Sequence, residues 1–410
     1  MTAYTHDGTQ LAAPRDIDGL RSRALIAGVV GLVGCGLGFV FDRDHFFRSW
    51  LIAYLLFLGI ALGSMALLMI QHLSGGSWGV FRRVFEASSR TLPLLALMFL
   101  PIVLGMGTLY SWTHAEHVAA DAILQHKAPY LNVPFFLIRA LIYFAGWIGI
   151  AWTMSRWSRR QDEGDMSVNK RLQYLSGGGI VFYALASTFA GIDWIMSINP
   201  HWFSTLFGFI MVAGHGLSAL SFTIVVSTFL SRRAPMEAIL KPSHFHDLGK
   251  LSLAFVMLWA YFNFSQYMLV YAANLAEEIP YFITRISHGW QYVALFLVVF
   301  QFIVPFLLLL SRDLKRMPHR LIWVSLALLV VRYIDLFLLV SPEFASTGAN
   351  LHMVTGEHES HFYVHWLDLA APLAVGGLWL WMFFTQLAQR PLVAFADPYL
   401  REAMESTGGH

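Results

Sequence analysis

The sequence predicts an all-α polytopic membrane protein with ten transmembrane helices, and two observations support this fold class. Of its 410 residues, 57% are hydrophobic and only 13% are charged, with a mean hydropathy of +0.58, whereas soluble domains carry about 25% charged residues. The apolar residues also fall into ten stretches, each near the ~20 residues that a helix needs to cross a bilayer. The predicted spans are residues 24–41, 50–73, 91–110, 131–155, 172–197, 203–230, 248–275, 289–310, 319–340 and 362–388.

The spans are predicted to form a single membrane domain, residues 24–390, between two polar tails, residues 1–23 and 391–410. The first tail lacks the charged-then-apolar order of a signal peptide. Spans two to five and spans six to nine are expected to form two four-helix bundles, about 50–197 and 203–340, with spans one and ten beside them.

Lysine and arginine are distributed unequally between the two sides of the predicted membrane domain. The two tails and the connections on their side hold 20 of these residues, whereas the opposite connections hold four, Arg43, Arg48, Lys127 and Arg285. Because positively charged connections stay on the cytoplasmic side of a membrane, both termini are predicted to be cytoplasmic. We call this side the basic end of the protein and the other side the outer end.

The seventh span is apolar overall but carries a stripe of polar and aromatic side chains. Lipid cannot satisfy amide groups, so the stripe is expected to face other helices, a water-filled cavity or a ligand. Interhelical hydrogen bonding and a ligand-lining role both stay open. The stripe consists of Ser252, Trp259, Asn263, Gln266, Tyr267, Tyr271 and Asn274.

The only cysteine, Cys35, excludes several cofactor types. One cysteine cannot form an intrachain disulfide, a covalent haem attachment or an iron–sulfur ligand set. Redox centres would therefore lie on partner subunits, or the redox group would be a diffusible quinone. A bis-histidine haem b is not favoured, because His215 is the only histidine near the centre of a span. No phosphate-binding loop or nucleophile elbow is present, so no residue is predicted to be catalytic on its own.

Ionisable residues inside spans four, five and six form one candidate cluster. Inserting such a residue into a membrane costs about 2.5–3.5 kcal/mol, so its presence there indicates a structural or functional role. Arg139 lies about two turns into its span from the outer end, Asp193 about one turn from it, and His215 near mid-span. Three interpretations stay open. Arg139 and Asp193 could be a structural ion pair, or Asp193 and His215 could exchange protons. All three residues could also line a quinol site, if an apolar cleft lies beside them.

A second outer cluster is predicted in spans nine and ten. Arg332 and Asp335 are three residues apart, as are His365 and Asp368, so each pair can meet on one helix face. Three further residues, His72, Asp247 and Lys250, lie at the basic end and could form the inner entry of a proton path. A purely structural role in fixing the helix register is the alternative for Arg332 and Asp335.

Two outer connections are rich in histidine and carboxylates. Residues 111–130 carry His114, His117 and Asp121, and residues 341–361 carry the sequence GEHESH at 356–361. Histidine and carboxylate groups bind zinc or copper. The spacing has no helical regularity, however, so solvated or partner-contacting loops are favoured and no metal site is predicted.

Four long stretches together resemble one family. They are HFHDLGKLSLAFVMLWAYFNFSQYMLVYAANLAEEIPYF (244–282), LQHKAPYLNVPFFLIR (124–139), GIDWIMSINPHWFSTLFG (191–208) and HRLIWVSLALLVVRYIDLFLLVSP (319–342). The chain resembles, over about residues 50–390, the NrfD/polysulfide-reductase-like membrane subunits of bacterial alternative complex III, and within them the ActF type.

The resemblance implies a subunit of a quinol:electron-acceptor oxidoreductase in the bacterial cytoplasmic membrane, part of a respiratory or photosynthetic chain. Its implied partners are an ActC-like paralogue, an iron–sulfur subunit and haem c subunits, with a terminal oxidase or photosynthetic acceptor beyond them. The paralogue usually holds the working quinol site, while an ActF-type subunit conducts protons or acts as a scaffold. Quinone binding, a proton path and a purely structural anchor therefore stay open. A secondary transporter is less favoured, because the prolines of this chain do not recur at corresponding places in two halves.

Overall fold

The computed structural model describes residues 16–75, 77–276, 278–344, 361–394, 397 and 400. It is 84% helical, and these residues contain no β-strand. Ten helical segments are long and apolar enough to cross a membrane, so the chain is a multi-pass membrane protein. They are α1 Asp16–Phe41, α2 Arg43–Ser74, α3 Trp78–Leu104, α4 Val133–Asp162, α5 Val168–Ile198, α6 Phe207–Leu230, α7 Pro242–Ala273, α8 Trp290–Leu310, α9 Pro318–Glu343 and α10 Leu367–Ala388.

The predicted helical class and the predicted number of spans are confirmed, whereas the two four-helix bundles and the orientation of the termini stay predictions. The largest difference in boundaries is in α3, which begins at Trp78 rather than at residue 91. The sequence of its first part suggested a charged loop. In the structure this part is a 3₁₀ turn, Ser77–Phe81, and a buried helix, Arg82–Ser89. The helix is buried despite its charges because they pair with one another and with neighbouring helices.

α2 and α6 form the centre of the protein. In its most apolar window α2 is 94% buried and α6 is 83% buried, and the two helices pack against each other. α2 also contacts α5, α9 and α10, and α6 contacts α5, α7 and α9. A helix that is apolar on all sides must be surrounded by other helices or by lipid, and these two are surrounded by protein.

α1 lies on the outside of the domain and packs closely along α10. A Cβ added at Gly31 would lie 2.3 Å from the backbone nitrogen of Ala374, and one added at Gly28 would lie 2.8 Å from that of Leu378. Only glycine permits this separation, and small residues let membrane helices approach closely where no hydrophobic force drives them together.

Two of the spanning segments are irregular. α3 is broken at Phe99 and ends before Gly105, and each of its pieces Leu92–Met98 and Leu100–Leu104 begins with a proline in its first turn. Proline has no backbone N–H, so the helical hydrogen-bond ladder is interrupted there. α8 contains one π-helical turn, Val298–Ile303, a rare feature that often marks a functional site.

The outer ends of α7 and α8 diverge. α7 ends at Asn274, whose left-handed backbone (φ 51°) stops the helix. A short helix, Ile279–Arg285, then crosses the outer end before α8 begins. α7 packs against residues 298–310 of α8 but has few contacts with Trp290–Leu297. The gap left between them is the cavity described next.

The remaining connections contain further short helices. They are Met106–Leu109, Ala115–Ala120, Ala122–Lys127, Met236–Ile239 and Arg312–Arg316, with 3₁₀ turns at Ser111–Thr113, Met196–Ile198 and Ser341–Glu343.

Candidate functional site

A cavity of about 720 Å³ lies between α7, α8 and α9 in the outer half of the protein. Its size is within the range of small-molecule sites, about 300–1,000 Å³. The walls are mostly aromatic and aliphatic. The lining residues used below are Trp259, Tyr261, Asn263, Phe264, Gln266, Tyr281, Arg285, Leu295 and Asp335.

The cavity is open to the outer surface of the helix bundle. Three of its lining residues on the two sides of the gap, Tyr261, Phe264 and Leu295, are 64%, 64% and 61% exposed. In a membrane-spanning segment this surface faces lipid. An apolar molecule dissolved in the bilayer could therefore enter sideways, without crossing water.

Asp335 is the acidic residue among those that line this cavity, and it is buried. Its Oδ2 atom accepts a hydrogen bond from Trp259 Nε1 at 3.0 Å and forms an ion pair with Arg332. Its other oxygen, Oδ1, makes no hydrogen bond to a described residue. The carboxylate is thus held in place through one oxygen, and the second oxygen is available to a ligand.

The Arg332 guanidinium is held against the backbone of α6. A Cβ added at Gly214 would lie 2.2 Å from Nη2, so only glycine leaves room for this side chain. Arg332 is 2% exposed, and its contacts fix Asp335 from the side opposite Trp259. The predicted meeting of Arg332 and Asp335 on one helix face is confirmed.

Four residues of the polar stripe on α7 line this cavity, in agreement with the ligand-lining alternative. Gln266 accepts a hydrogen bond through Oε1 from Ser204 (3.1 Å), and Asn263 donates to the carbonyl of Trp259 (2.9 Å). The Gln266 amide NH₂ has no acceptor among the described residues, so it can donate into the cavity. Tyr271 and Asn274, farther along the stripe, line an adjoining cavity of about 530 Å³.

The outer limit of the cavity is built by groups that sequence reasoning missed. Arg285 lies 3.4 Å above the Tyr281 ring and pairs with Glu343 at 2.8 Å. The Tyr281 ring stacks on Trp202 at 3.7 Å. Burial raises the pKa of Tyr281 to about 12, so its phenol stays protonated at neutral pH. The sequence indicates only that Arg285 is a charge in an outer connection. No local pattern predicts that it reaches a cavity.

Arg139 and Asp193 form a closed ion pair in a different part of the protein. Arg139 donates to both carboxylate oxygens at 2.8 and 2.9 Å, and Tyr143 donates to Oδ2 at 2.8 Å. The guanidinium also lies 3.9 Å from the centroid of the Tyr130 ring and 4.3 Å from that of Phe135. This geometry agrees with the structural-pair interpretation.

The structure shows no hydrogen bond or ion pair between His215 and Asp193, both of which it describes. Its Nδ1 atom lies 3.3 Å from the Tyr183 hydroxyl, and its ring faces Gly59 of α2. Proton exchange between Asp193 and His215 therefore stays a prediction without a direct contact behind it.

An Asp193→Asn substitution is expected to lower the free energy of unfolding by about 2 kcal/mol, because charge-assisted hydrogen bonds to Arg139 become neutral ones. It is expected to leave the activity of the folded protein unchanged. Thermal unfolding in detergent measures the first effect. The control is Asp44→Asn, a change at an exposed outer acid. An equal loss of stability in both variants would contradict a structural role for the pair.

His365 and Asp368 do not pair through their side chains. The Asp368 carboxylate instead accepts from the Ser49 hydroxyl at 2.5 Å and from the backbone N–H of His365 at 2.9 Å. It thereby caps the start of α10 and links it to α2. The His365 ring lies 4.2 Å from the ring of His45.

Within the part of the chain that the structure describes, one group of side chains could hold a metal ion. The ligand atoms of Asp42, His45 and His365 all lie within 4.8 Å of one another. Sequence reasoning missed Asp42 and His45, because they begin α2 while His365 precedes α10. Against metal binding, the His45 ring contacts the Tyr363 hydroxyl, and Arg48 donates to the same hydroxyl at 3.1 Å. Of the predicted GEHESH sequence, residues 356–360 lie outside the described residues.

In the other histidine-rich connection, residues 111–130, Asp121 caps the short helix Ala122–Lys127. Asp121 accepts from the backbone N–H groups of Ile123 and Leu124 and lies 2.6 Å from His201. Partial burial raises the pKa of Asp121, but these hydrogen bonds lower it by more, so the pKa is below its usual value. Asp121 is therefore an ionised helix cap at neutral pH.

The three predicted inner residues lie in two places, the start of α7 and the end of α2. Lys250 and Asp247 form an ion pair at 3.3 Å at the start of α7, with the lysine side chain more than half exposed. His72 is buried at the end of α2, next to the charged residues of α3. Their shared role in proton entry stays a prediction.

The beginning of α3 contributes a buried ionic cluster that sequence reasoning missed. The Glu86 carboxylate pairs with Arg82 at 2.8 Å, with Arg83 at 2.7 Å and with Arg390 at 3.2 Å. Ser158 also donates to it at 2.7 Å. The predicted spans place these residues in connections, where charges are solvated. The helical spacing of Arg82, Arg83 and Glu86 was the signal that could have predicted their pairing.

The cluster extends to two more acids and joins three segments. Arg83 makes two hydrogen bonds to Asp162 at the end of α4, and Arg82 pairs with Asp397 at 2.8 Å. α3, α4 and the segment after α10 are therefore fixed to one another at the basic end. This cluster is structural, since each charge is matched by an opposite one.

Fold and site together define a multi-pass membrane protein with a lipid-facing, aromatic cavity whose wall contains a buried carboxylate. No protein-family model matches the chain, and no curated protein matches it.

Proposed function

We propose that the chain is an integral membrane subunit of a bacterial quinol:electron-acceptor oxidoreductase of the alternative complex III type, and that its cavity receives a quinol. The motif resemblance supports the class of complex. The geometry adds one observation that carries the quinol proposal: the cavity is open to lipid and has the buried Asp335 carboxylate in its wall.

The residues present fit a quinol. A quinol has an apolar tail that stays in lipid and a polar ring with two hydroxyl groups. The exposed aromatic residues at the opening suit the tail, and the Asp335 and Gln266 side chains supply an acceptor and a donor deeper in the cavity. A few polar groups in a largely apolar cavity are the usual arrangement for orienting such a ligand.

Asp335 is the proposed proton acceptor in this site. A bound quinol supplies two electrons and two protons when it is oxidised to the quinone. Asp335 Oδ1 would accept one proton, and water reaching the outer end of the cavity would accept the other. Trp259 and Arg332 hold the carboxylate in position.

The electrons must leave this chain. It has one cysteine, too few for an iron–sulfur cluster. The proposed acceptors are an iron–sulfur or haem c centre of a partner subunit, and beyond it a terminal oxidase or photosynthetic acceptor. The chain is therefore proposed to support turnover within a complex rather than to catalyse it alone.

Two other roles compete with quinol binding. A purely structural anchor is favoured by the closed pairs at Arg139–Asp193 and around Glu86, which hold helices together and reach no ligand. A proton path without quinol would use Asp335 but not the cavity. The secondary transporter has no specific observation in its favour.

Filling the cavity tests the proposal. In an Ala260→Trp variant the indole would occupy space beside Trp259, and quinol-driven reduction of the acceptor is expected to fall at least about tenfold, mostly through a higher KM. The measurement uses the purified complex, a short-chain quinol and ferricytochrome c, together with labelling by a photoactivatable quinone analogue.

The matched control is Ala254→Trp, at an exposed position on the same helix that does not line the cavity. It is expected to keep wild-type turnover and labelling. If Ala260→Trp keeps both as well, the cavity does not receive quinol and the anchor becomes the better interpretation.

A further inference from the structure

A second groove, of about 390 Å³, lies at the basic end between α3, α4 and α10. It is separate from the proposed quinol cavity and shares no lining residue with it. Its lining residues are Ser89, Arg90, Pro93, Ile148, Ala151, Trp152, Ser155, Arg156, Arg159, Gln386 and Arg390.

Four of these residues are arginines, and none is acidic. Arg90 donates to Gln389 at 2.6 Å, and Arg390 pairs with Glu86 at 3.2 Å. Arg156 and Arg159 form no ion pair with any described residue. Since Glu86 is already shared with two other arginines, the groove has a large excess of positive charge.

Arg390 is the most buried of the four, at 8% exposed, and its guanidinium is held in place. Its Nη2 atom donates to the carbonyl and hydroxyl oxygens of Ser155, both at 2.7 Å. Burial lowers the pKa of Arg390, and although Glu86 raises it, Arg83 and Arg159 lower it further. Arg390 is therefore a fixed positive charge of the groove.

The groove lies at the edge of the predicted membrane. The apolar sequence of the third span begins at residue 91, that of the fourth ends at 155 and that of the tenth ends at 388. Arg90, Arg156 and Arg390 lie within two residues of these limits. The groove is therefore at the level of lipid headgroups, where an arginine can reach phosphate while its neighbours contact acyl chains.

The wall of the groove changes from charged to apolar along the membrane normal. Pro93, Ile148 and Ala151 lie on the membrane side of the arginines, and Trp152 is 61% exposed, as is typical of an aromatic residue at the interface. The Arg156 guanidinium lies 5.4 Å from the Trp152 ring. An ion without a tail would leave this apolar wall unused.

We propose that this groove binds the phosphate headgroup of an anionic phospholipid, with the acyl chains along Pro93, Ile148 and Trp152. Arginine clusters between membrane helices on the cytoplasmic side bind such headgroups. The lack of an acidic lining residue disfavours the ammonium group of a zwitterionic lipid. The proposal does not depend on the quinol site.

The test measures lipid retention by native mass spectrometry on the full-length chain, purified in detergent with any subunits that accompany it. The titrants are phosphatidylglycerol, phosphatidylcholine and inorganic phosphate. Wild type is expected to bind phosphatidylglycerol at least about tenfold more tightly than phosphatidylcholine. The double variant Arg156→Gln/Arg159→Gln is expected to lose at least about tenfold of that affinity. Neither residue has an ion pair in the described structure, so the fold should persist.

The matched control is the double variant Arg171→Gln/Arg320→Gln, which removes two exposed arginines from the same end outside the groove. It is expected to bind phosphatidylglycerol as wild type does. Equal retention of the two lipids by wild type, or equal loss in both double variants, would overturn the proposal. Inorganic phosphate that displaces phosphatidylglycerol at equal concentration would overturn it too, because the groove would then be a free-anion site.

Discussion

Replacing Asp335 with asparagine is expected to lower quinol-driven electron transfer by about 100-fold or more. The amide has nearly the size of the carboxylate and can still accept a hydrogen bond from Trp259. It cannot take a proton from a quinol hydroxyl at neutral pH. The measurement is turnover and proton release by the reconstituted complex in proteoliposomes, with assembly checked for every variant.

The interpretation needs a control for stability, because Asp335→Asn leaves the buried Arg332 without its counter-charge. The double variant Arg332→Gln/Asp335→Asn removes both charges, so it should recover the thermal stability but not the turnover. Asp335→Glu keeps an acid and should recover part of the turnover.

Three outcomes separate the competing roles. Loss of electron transfer with the complex assembled supports a quinol site at Asp335. If electron transfer persists while proton release falls, the residue belongs to a proton path instead. If neither changes in the double variant, Asp335 is structural and the quinol proposal is wrong.

Replacing Glu86 with alanine is expected to lower the free energy of unfolding by about 3–5 kcal/mol, the range for removing one partner of a buried ion pair. Three arginines, Arg82, Arg83 and Arg390, would lose a shared carboxylate in a place that water does not reach. Such a loss exceeds a typical single substitution and could prevent assembly altogether. Chemical unfolding in detergent micelles measures it.

Glu86→Gln provides an intermediate, since the amide keeps two hydrogen-bond acceptor sites but no charge. Asp165→Ala is the matched control, because this acid lies on an exposed turn at the same end. Its unfolding midpoint should equal that of wild type. If Glu86→Ala unfolds no more easily than Asp165→Ala, the ionic cluster does not hold α3, α4 and the segment after α10 together.

The sequence predicted the helical class and the number of spans. Length and apolarity suffice for the spans, because a membrane leaves few alternatives to a long apolar helix. The three-residue spacing of Arg332 and Asp335 was enough to predict that they meet. The stripe on α7 predicted a surface that lipid could not satisfy, and four of its residues line the cavity.

Contacts between distant segments could not be predicted in the same way. Arg285 and Tyr281 reach the cavity only because a short helix crosses its outer end. Glu86 meets Arg390 across more than 300 residues of sequence, so its charges were interpreted as a solvated loop. His365 and Asp368 have the right spacing to pair, but Ser49 of α2 takes the carboxylate instead.

A ten-span membrane protein with ionisable residues inside its helices follows from the sequence alone, because hydrophobic length and the cost of burying charge are local properties. Which of those residues face a cavity and which are held in ion pairs follows from the packing of the helices. That choice depends on which helices become neighbours. Asp335 and Asp193 are both acids near the outer ends of apolar helices. One lines an opening to lipid, and the other is enclosed by Arg139 and Tyr143.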